Sequence, residues 1–362
     1  MTRPFLAVFI LACALSGALS ADRITYMKST GGGRVLEQFD NVLITAWNVS
    51  TVSFRKSEGG PDTLATSSVV TITRVGPGGT MGSDLRLALE TIATDHTRAK
   101  ALMTAAAGKG SELDREEAVF RRAELFDNEA RSNGRSALED AIREYSQYHA
   151  RYKAGFFARD SWVAQAELQQ IAKRPADARA TLRAMIGAHR ELERLGNQKL
   201  GELEAFTGDF KAALQAFKAA ENGSGSDRNA RYLAIAWQGA CVQRQGDNNA
   251  AREMLEKITG DATFEDKDSE DDEIALSVAW PALGATYVAA GNFEKAYNAY
   301  VQGAYYIWWN RAENEGHCLA QACICAKKLQ ATDTKWKGRY DKLRTALAVG
   351  FPKEIQRVDE AK

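Results

Sequence analysis

The stretch Ser277–Ala304 reads SVAWPALGATYVAAGNFEKAYNAYVQGA and carries the clearest pattern in this sequence of 362 residues. In its first half, large and small side chains recur at intervals of three and four residues, which places them on one face of an α-helix. The second half repeats this spacing after Gly291-Asn292, a pair typical of a turn. We therefore predict two helices joined by a tight turn, with Gly284 and Ala296 allowing a close approach.

The order of residues in this hairpin resembles a known repeat. The letters W-x2-L-G-x2-Y run from Trp280 to Tyr287, and a small-x3-aromatic pair runs from Ala296 to Tyr300. This pattern resembles the tetratricopeptide repeat, a helix hairpin of about 34 residues. Because one hairpin buries too little apolar surface to fold alone, the resemblance implies that further hairpins stack beside it in an α-solenoid.

The region from residue 84 to residue 349 repeats one part of this pattern. A small residue is followed by a bulky one four positions later and by a small or apolar one three positions after that. The six triplets are Ala99/Met103/Ala106, Ala141/Tyr145/Tyr148, Ala178/Leu182/Met185, Ala213/Phe217/Ala220, Ala251/Leu255/Ile258 and Ala296/Tyr300/Gly303. We predict about six to seven hairpins, followed by a frayed C-terminal tail over residues 350–362.

The segment before these helices has a different composition. Residues 22–77 contain short runs rich in Val, Ile, Thr and aromatic residues, separated by glycine-rich or polar turns. We predict five strands in a small barrel or curled sheet, which resembles the SH3-like and Sm-like β modules. A module of about 55 residues has only marginal stability by itself, so we expect it to dock on the helices. Residues 78–83 form the predicted linker.

The N-terminal residues 1–21 have the pattern of a secretory signal peptide. Arg3 precedes an apolar run from Phe5 to Leu15, and small residues follow at the predicted cleavage site near Ser20 or Ala21. We predict an exported, periplasmic or extracellular protein of bacterial type. The alternative is a lipoprotein anchored through Cys13.

Charge and hydropathy limit the classes of partner. Lys plus Arg and Asp plus Glu are equal at 47 each, so no strong net field attracts nucleic acid, and no nucleic-acid partner is predicted. No later segment is apolar enough to span a bilayer, so the predicted mature chain has no transmembrane span, and peripheral association with the envelope stays open.

The sequence offers no catalytic, cofactor or metal site. The four histidines are scattered over different predicted hairpins and belong to no catalytic or zinc-binding motif, so we predict a protein without enzymatic activity. The acidic segment Glu265–Glu273 lacks the ligand pattern of a calcium loop and is predicted to be solvated. Four cysteines are predicted to be small packing residues, and a disulfide between the first of them and another stays open. They are Cys241, Cys318, Cys323 and Cys325.

The family resemblance implies that the first helices of successive hairpins line a groove that holds a peptide or protein segment. The candidate groove residues are Gln198, Glu202, Ala236, Ala240, Gln243, Val278, Pro281, Ala285 and Val288. Their small and apolar character favours an apolar or helical ligand over a charged tail. In the aromatic run after the last of these hairpins we expect Tyr305 and Trp308 in the core, and Tyr306 and Trp309 as candidates for partner contact.

Two functions follow from this reading of the sequence. The first is a non-catalytic scaffold of the cell envelope or periplasm that binds another protein in the groove. The alternative is an envelope-associated binder of cell-wall glycan or peptide that uses the β module and exposed aromatic residues. The sequence leaves open the identity of the partner, the oligomeric state, the role of the β module and the kingdom of the source organism.

Overall fold

The computed structural model describes residues 22–30, 33–56, 60–74, 81–133, 135–260, 270–306 and 311–361. The predicted signal peptide, part of the linker, most of the acidic segment, Trp308 and Trp309 lie outside the described residues. The chain divides into two compact units, the first ending at Leu192 and the second beginning at Glu193.

The first unit begins with five antiparallel strands, as the sequence predicts. They are β1 (Asp22–Thr30), β2 (Gly33–Trp47), β3 (Thr51–Lys56), β4 (Pro61–Ala65) and β5 (Val69–Thr73). Their order in the sheet is β4-β3-β2-β1-β5, so β4 and β5 lie at opposite edges. Only a 3-10 turn, Thr66–Ser68, joins these two edge strands, and the sheet must therefore curl. Alternate residues of β1 to β3, such as Ile24 and Phe54, form its buried face.

Six helices complete the first unit. They are α1 (Ser83–Thr91), α2 (His96–Lys109), α3 (Glu112–Asn133), α4 (Arg135–Arg151), α5 (Ala158–Ile171) and α6 (Pro175–Ala188). Each helix packs against the next one along the chain, which is the arrangement of consecutive hairpins.

The second unit is helical throughout its described residues, and α7 crosses the boundary between the units. Its helices are α7 (Arg190–Thr207), α8 (Phe210–Asn222), α9 (Arg228–Arg244), α10 (Asn248–Thr259), α11 (Glu270–Ala289), α12 (Phe293–Tyr305), α13 (Arg311–Leu329), α14 (Lys335–Gly350) and α15 (Pro352–Glu360). Each of α9 to α15 packs against its neighbour in the chain, and α9 also packs directly against α11.

The six triplets predicted from the sequence all lie in the core. Every member is buried, and each triplet belongs to the second helix of a hairpin, from α2 to α12. The small first residue of each triplet allows another helix to approach, and the bulky second residue fills the space beside that contact. The predicted fold class, mainly helical hairpins of tetratricopeptide type after a small all-β module, is confirmed.

Three hairpin turns in the second unit share one chemistry. Gly208, Gly246 and Gly291 have φ values of +88°, +95° and +72°, a region that glycine adopts without strain. In each case the next residue is Asp or Asn, and its side chain accepts a hydrogen bond from the backbone N–H three residues later. The pair therefore ends one helix and caps the next.

The C-terminal tail differs from the prediction. Instead of a frayed segment, residues Pro352–Glu360 form α15, and Val358 is fully buried. Phe351, Ile355 and Val358 are spaced four and three residues apart and pack as one stripe on a cluster that includes Leu347. This short amphipathic stripe covers apolar surface that α13 and α14 would otherwise expose.

Candidate partner-binding surface

Four of the predicted groove residues belong to the first helices of two adjacent hairpins. Ala240 and Gln243 belong to α9, and Val278 and Ala285 belong to α11, which packs directly against α9. All four are half-buried, so part of each side chain meets solvent. We call these four residues the first-helix surface. It contains no charged side chain.

Two of the predicted groove residues are buried and belong to the protein interior. Ala236 is fully buried in a cluster with Leu255 and Leu283, so it is a core residue. Gln198 is 2% exposed, and its Nε2 atom donates to Glu202 Oε1 at 3.0 Å. The spacing along a helix identifies a face, but it does not show how closely the next helix covers that face.

The remaining positions on the first helices are partly engaged with neighbours. Glu202 is half-buried and forms an ion pair with Lys199 at 2.8 Å. Pro281 packs against α12, because a Cβ atom added to Gly303 would lie 3.0 Å from its ring. Val288 packs on the cluster formed around Tyr300. Because these three residues already contact neighbouring side chains, we do not include them in the first-helix surface.

The two tyrosines at the end of α12 have the opposite exposure to the one predicted. Tyr305, predicted in the core, is 67% exposed, whereas Tyr306 is half-buried against the core cluster of α9, α10 and α11. Their rings meet edge to face with centroids 5.2 Å apart. Because α12 ends at Tyr305, the chain turns there, and the helical spacing used for the prediction no longer applies to Tyr306.

One exposed aromatic residue was not predicted from the sequence. Phe206, near the end of α7, is 84% exposed, which with Val349 is the largest value for a large hydrophobic side chain among the described residues. It lies two residues before the turn glycine Gly208, where the helix ends. The signal was present in the sequence, since a large apolar residue beside a turn has few neighbours to cover it.

His149 shows how the structure uses a residue of catalytic type. Its Nε2 atom lies 3.0 Å from Ser161 Oγ, but the Ser161 hydroxyl donates to the Ala158 carbonyl at 2.9 Å. The imidazole stacks on Trp162 with centroids 3.5 Å apart, and burial lowers its pKa to about 3. The ring is therefore neutral near pH 7 and donates to a hydroxyl that is itself anchored, so Ser161 is not set up as a nucleophile.

The cysteines and acidic residues form no metal centre in the described part of the chain. Four cysteines are free and buried there, so none of them forms the disulfide that the sequence left open. Burial raises the pKa of Cys241, Cys318 and Cys325 to about 12 and that of Cys323 to about 11. Such thiols are protonated and poorly nucleophilic near neutral pH.

Among the described residues, no helix is both long and apolar enough to cross a membrane.

Solved structures of low sequence identity are similar to this chain. The apo form of the quorum sensor NprR from B. thuringiensis has a TM-score of 0.51 and 14% identity, and the match covers 76% of this chain and 79% of that chain. PilW, a type IV pilus biogenesis factor, has a TM-score of 0.46 and 17% identity over 66% of this chain and 97% of that chain. A tetratricopeptide repeat protein from Parabacteroides merdae has a TM-score of 0.43 and 13% identity over 72% of this chain and 99% of that chain. No protein-family model and no curated protein matches the sequence.

Proposed function

We propose that this chain, whose helical part has the tetratricopeptide-repeat fold, is a scaffold that binds another protein through the first-helix surface. The observation that carries the proposal is that Ala240, Gln243, Val278 and Ala285 are uncharged and partly exposed, on two first helices that pack against each other. The centres of protein interfaces are depleted in charged residues in the same way.

The chemistry of this surface indicates the class of partner. A charged tail placed against it would lose water without gaining an opposite charge, which is unfavourable. An amphipathic helix with small or apolar side chains would lose little hydration free energy on binding. It would also bury apolar area on both partners. We therefore propose an uncharged, apolar face of a helical protein segment as the ligand.

Exposed aromatic residues elsewhere on the second unit supply further contact area. Phe206 and Tyr305 are rigid side chains of the kind that dominate binding energy at interfaces. In the sheet, by contrast, Trp47 is buried, and Tyr26, Phe39 and Phe54 pack on one another. The protein-binding hypothesis is therefore better supported than binding of glycan through aromatic residues of the β module.

The proposed setting of the scaffold is outside the cytoplasm, with the cell envelope or periplasm as its compartment. This proposal rests on the sequence of residues 1–21 alone. N-terminal sequencing of the protein recovered from fractionated cells tests it. A mature N-terminus near Ala21 in the exported fraction is the expected result, and an intact Met1 in the cytosolic fraction contradicts it.

Site-specific photo-crosslinking tests the binding surface in the intact protein. A photoreactive residue is placed at Ala285 in the first-helix surface, and at Asn298, an exposed residue of α12, as the matched control. We expect a discrete protein adduct from position 285 that disappears when Val278→Glu is added. Equal adducts from both positions, or an adduct that survives Val278→Glu, would contradict the proposal. Retention on insoluble wall material without a protein adduct would favour the glycan-binding alternative.

A further inference from the structure

Strands β1 and β2 extend beyond the rest of the sheet. β5 pairs with β1 only as far as Tyr26, and β3 pairs with β2 only from Val42 onwards. β1 and β2 continue to pair with each other past these points, up to the end of β1. We call this two-stranded extension, residues 27–30 and 33–38, the hairpin arm.

The hairpin arm has an open edge along β2. At residues 34–38, β1 pairs with one side of this strand, and the described residues include no strand on the other side. Every second residue of an edge strand directs its N–H and C=O groups away from the paired side. The register shows no bulge between Gly33 and Gln38, and this stretch contains no proline. Such an edge is a template for pairing with another strand.

Two apolar side chains are exposed beside the open edge. Val35 is 47% exposed and Leu36 is 59% exposed, and as successive residues of a strand they point to opposite faces. Leu36 lies opposite Met27 of β1. A hairpin of two strands is at best marginally stable in water, and a third strand at the open edge would cover part of both side chains. The hairpin arm therefore favours an added strand as its occupant.

The sequence of this edge complements itself. Two identical strands can pair in antiparallel fashion about a two-fold axis at Leu36, so that each Leu36 faces its equivalent and Val35 faces Glu37 of the second copy. One face then carries a row of four apolar side chains across four strands, Met27 and Leu36 from each copy. The Glu37 carboxylate already accepts from Lys28 Nζ at 2.9 Å, so its charge is paired within its own copy.

The charges also select the register. A two-fold axis at Glu37 would place two carboxylates directly opposite each other, which is unfavourable. The register centred on Leu36 places no like charges of the described side chains opposite each other and brings the most exposed apolar residue of the arm to the centre of the contact. A second copy of the chain is therefore a suitable occupant of the edge.

We propose that two copies of this chain associate through their hairpin arms, as antiparallel β2 strands centred on Leu36. Because both copies use the same segment, the contact is closed and association stops at the dimer. The two arms then form a continuous sheet of four strands, which is more stable than two separate hairpins. The hairpin arm lies in the first unit, and the inference does not depend on the function proposed for the second unit.

Sedimentation velocity of the intact protein over a range of concentrations tests the dimer. We expect a reversible monomer–dimer equilibrium with a Kd on the order of 100 μM, because a contact between two short strands is smaller than the standard interface of about 1,600 Å². Leu36→Glu should raise this Kd at least about tenfold, since two carboxylates would then face each other. The matched control is Leu43→Glu, at an exposed position of the same strand where β3 already pairs with β2, and it should leave the Kd unchanged. The midpoint of urea unfolding is measured for both variants.

Cysteine crosslinking tests the register. Residues that face each other in antiparallel strands have Cα atoms about 4.5–5.5 Å apart, within the range of about 4.4–6.8 Å that a disulfide bridges. With oxidised glutathione as the oxidant, Leu36→Cys should form a disulfide-linked dimer, and Leu43→Cys should not. The four cysteines of the described residues are buried, so the wild-type chain gives the background.

Four results would overturn the inference. A single monomeric species at concentrations about ten times above the expected Kd would show that the open edge takes no second copy. Growth into assemblies larger than a dimer would show that the contact is not closed. A dimer that Leu36→Glu leaves intact would place the contact elsewhere. Equal disulfide formation by Leu36→Cys and Leu43→Cys would show that the two strands do not meet in the proposed register.

Discussion

At the scale of single residues, glycines set how closely the helices pack. A Cβ atom added to Gly201 would lie 2.6 Å from the Phe217 ring, and one added to Gly284 would lie 2.9 Å from the Tyr300 ring. Both distances are shorter than van der Waals contact, so a methyl group would push the paired helices apart. The sequence predicted this role for Gly284 from its place in the repeat, and Gly201 has the same role two copies earlier.

Gly201→Ala should destabilise the protein, although alanine favours helices. Steric overlap with Phe217 costs about 1–3 kcal/mol, which exceeds the gain of about 1 kcal/mol in helix propensity. The matched control is Gly338→Ala in α14, where no atom lies within 4 Å of the added methyl group. That change should stabilise by up to about 1 kcal/mol. Urea unfolding of both variants measures the two free energies, and a stabilised Gly201→Ala would show that the helices are not in close contact there.

The buried imidazole of His149 should make folding sensitive to acid. Burial lowers the pKa of this ring from its usual 6.5 to about 3, so between these values the unfolded chain binds a proton that the folded chain does not. Stability is therefore lost as the pH falls below about 6.5, at a rate approaching 1.4 kcal/mol per pH unit from this group. The His149 ring resonances should not titrate between pH 7 and pH 5 by NMR. His149→Gln should show a shallower loss of stability over the same range, and an unchanged pH slope would contradict the account.

At the scale of elements, the sheet is held on α3 by buried polar contacts. Arg74, just after β5, pairs with Asp114 at 2.8 Å and with Glu117 at 2.9 Å, and the Trp47 indole N–H donates to Glu116 at 2.8 Å. Burial raises the pKa of Glu116, and four donors offset part of this effect: the Tyr148 hydroxyl, the Trp47 indole and two backbone N–H groups. These contacts explain why the predicted β module belongs to the first compact unit.

Breaking the Arg74 pairs should be costly. Arg74→Ala removes the cationic partner of the buried Asp114 and leaves Glu117 with only the longer pair to Arg121 at 3.6 Å, and we expect a loss of about 3–5 kcal/mol. The matched control is Arg23→Ala, which removes the exposed ion pair with Asp40 and should cost less than about 1 kcal/mol. Denaturant unfolding followed by the fluorescence of the tryptophans measures both. Similar losses in the two variants would mean that the sheet does not depend on the buried pairs.

The sequence predicted the helical elements better than the surface they form. The alanine-x3-bulky spacing is local, and the close helix contacts it requires follow directly, so all six triplets are buried. The pairing of Arg74 with Asp114 joins residues 40 positions apart, and no local pattern encodes it. The exposure of Tyr305 and the burial of Ala236 depend on how far each helix extends past its neighbour. Spacing alone therefore identified the face of α9 and α11 but not which residues on it meet solvent.

At the scale of the whole molecule, the two compact units should respond separately to loss of the β module. A chain that begins at Met81 lacks Arg74 and Trp47, so Asp114, Glu116 and Glu117 lose their partners from the sheet. Hydrogen exchange measured by mass spectrometry should show faster exchange in α3 and unchanged exchange in α11 and α12. Faster exchange in α11 and α12 to the same extent would contradict two separate units.

The proposed binding of a protein partner to the first-helix surface of α9 and α11 depends on the lack of charge there. The most direct test is to purify the crosslinked partner and to measure its affinity for the wild-type chain and for Ala285→Glu. Asn298→Glu is the matched control, and the midpoint of urea unfolding is measured for each variant. We predict that Ala285→Glu weakens binding at least tenfold, about 1.4 kcal/mol, because a charge is then desolvated in the interface, while Asn298→Glu leaves the affinity unchanged. Equal affinities for all three folded proteins would contradict the claim.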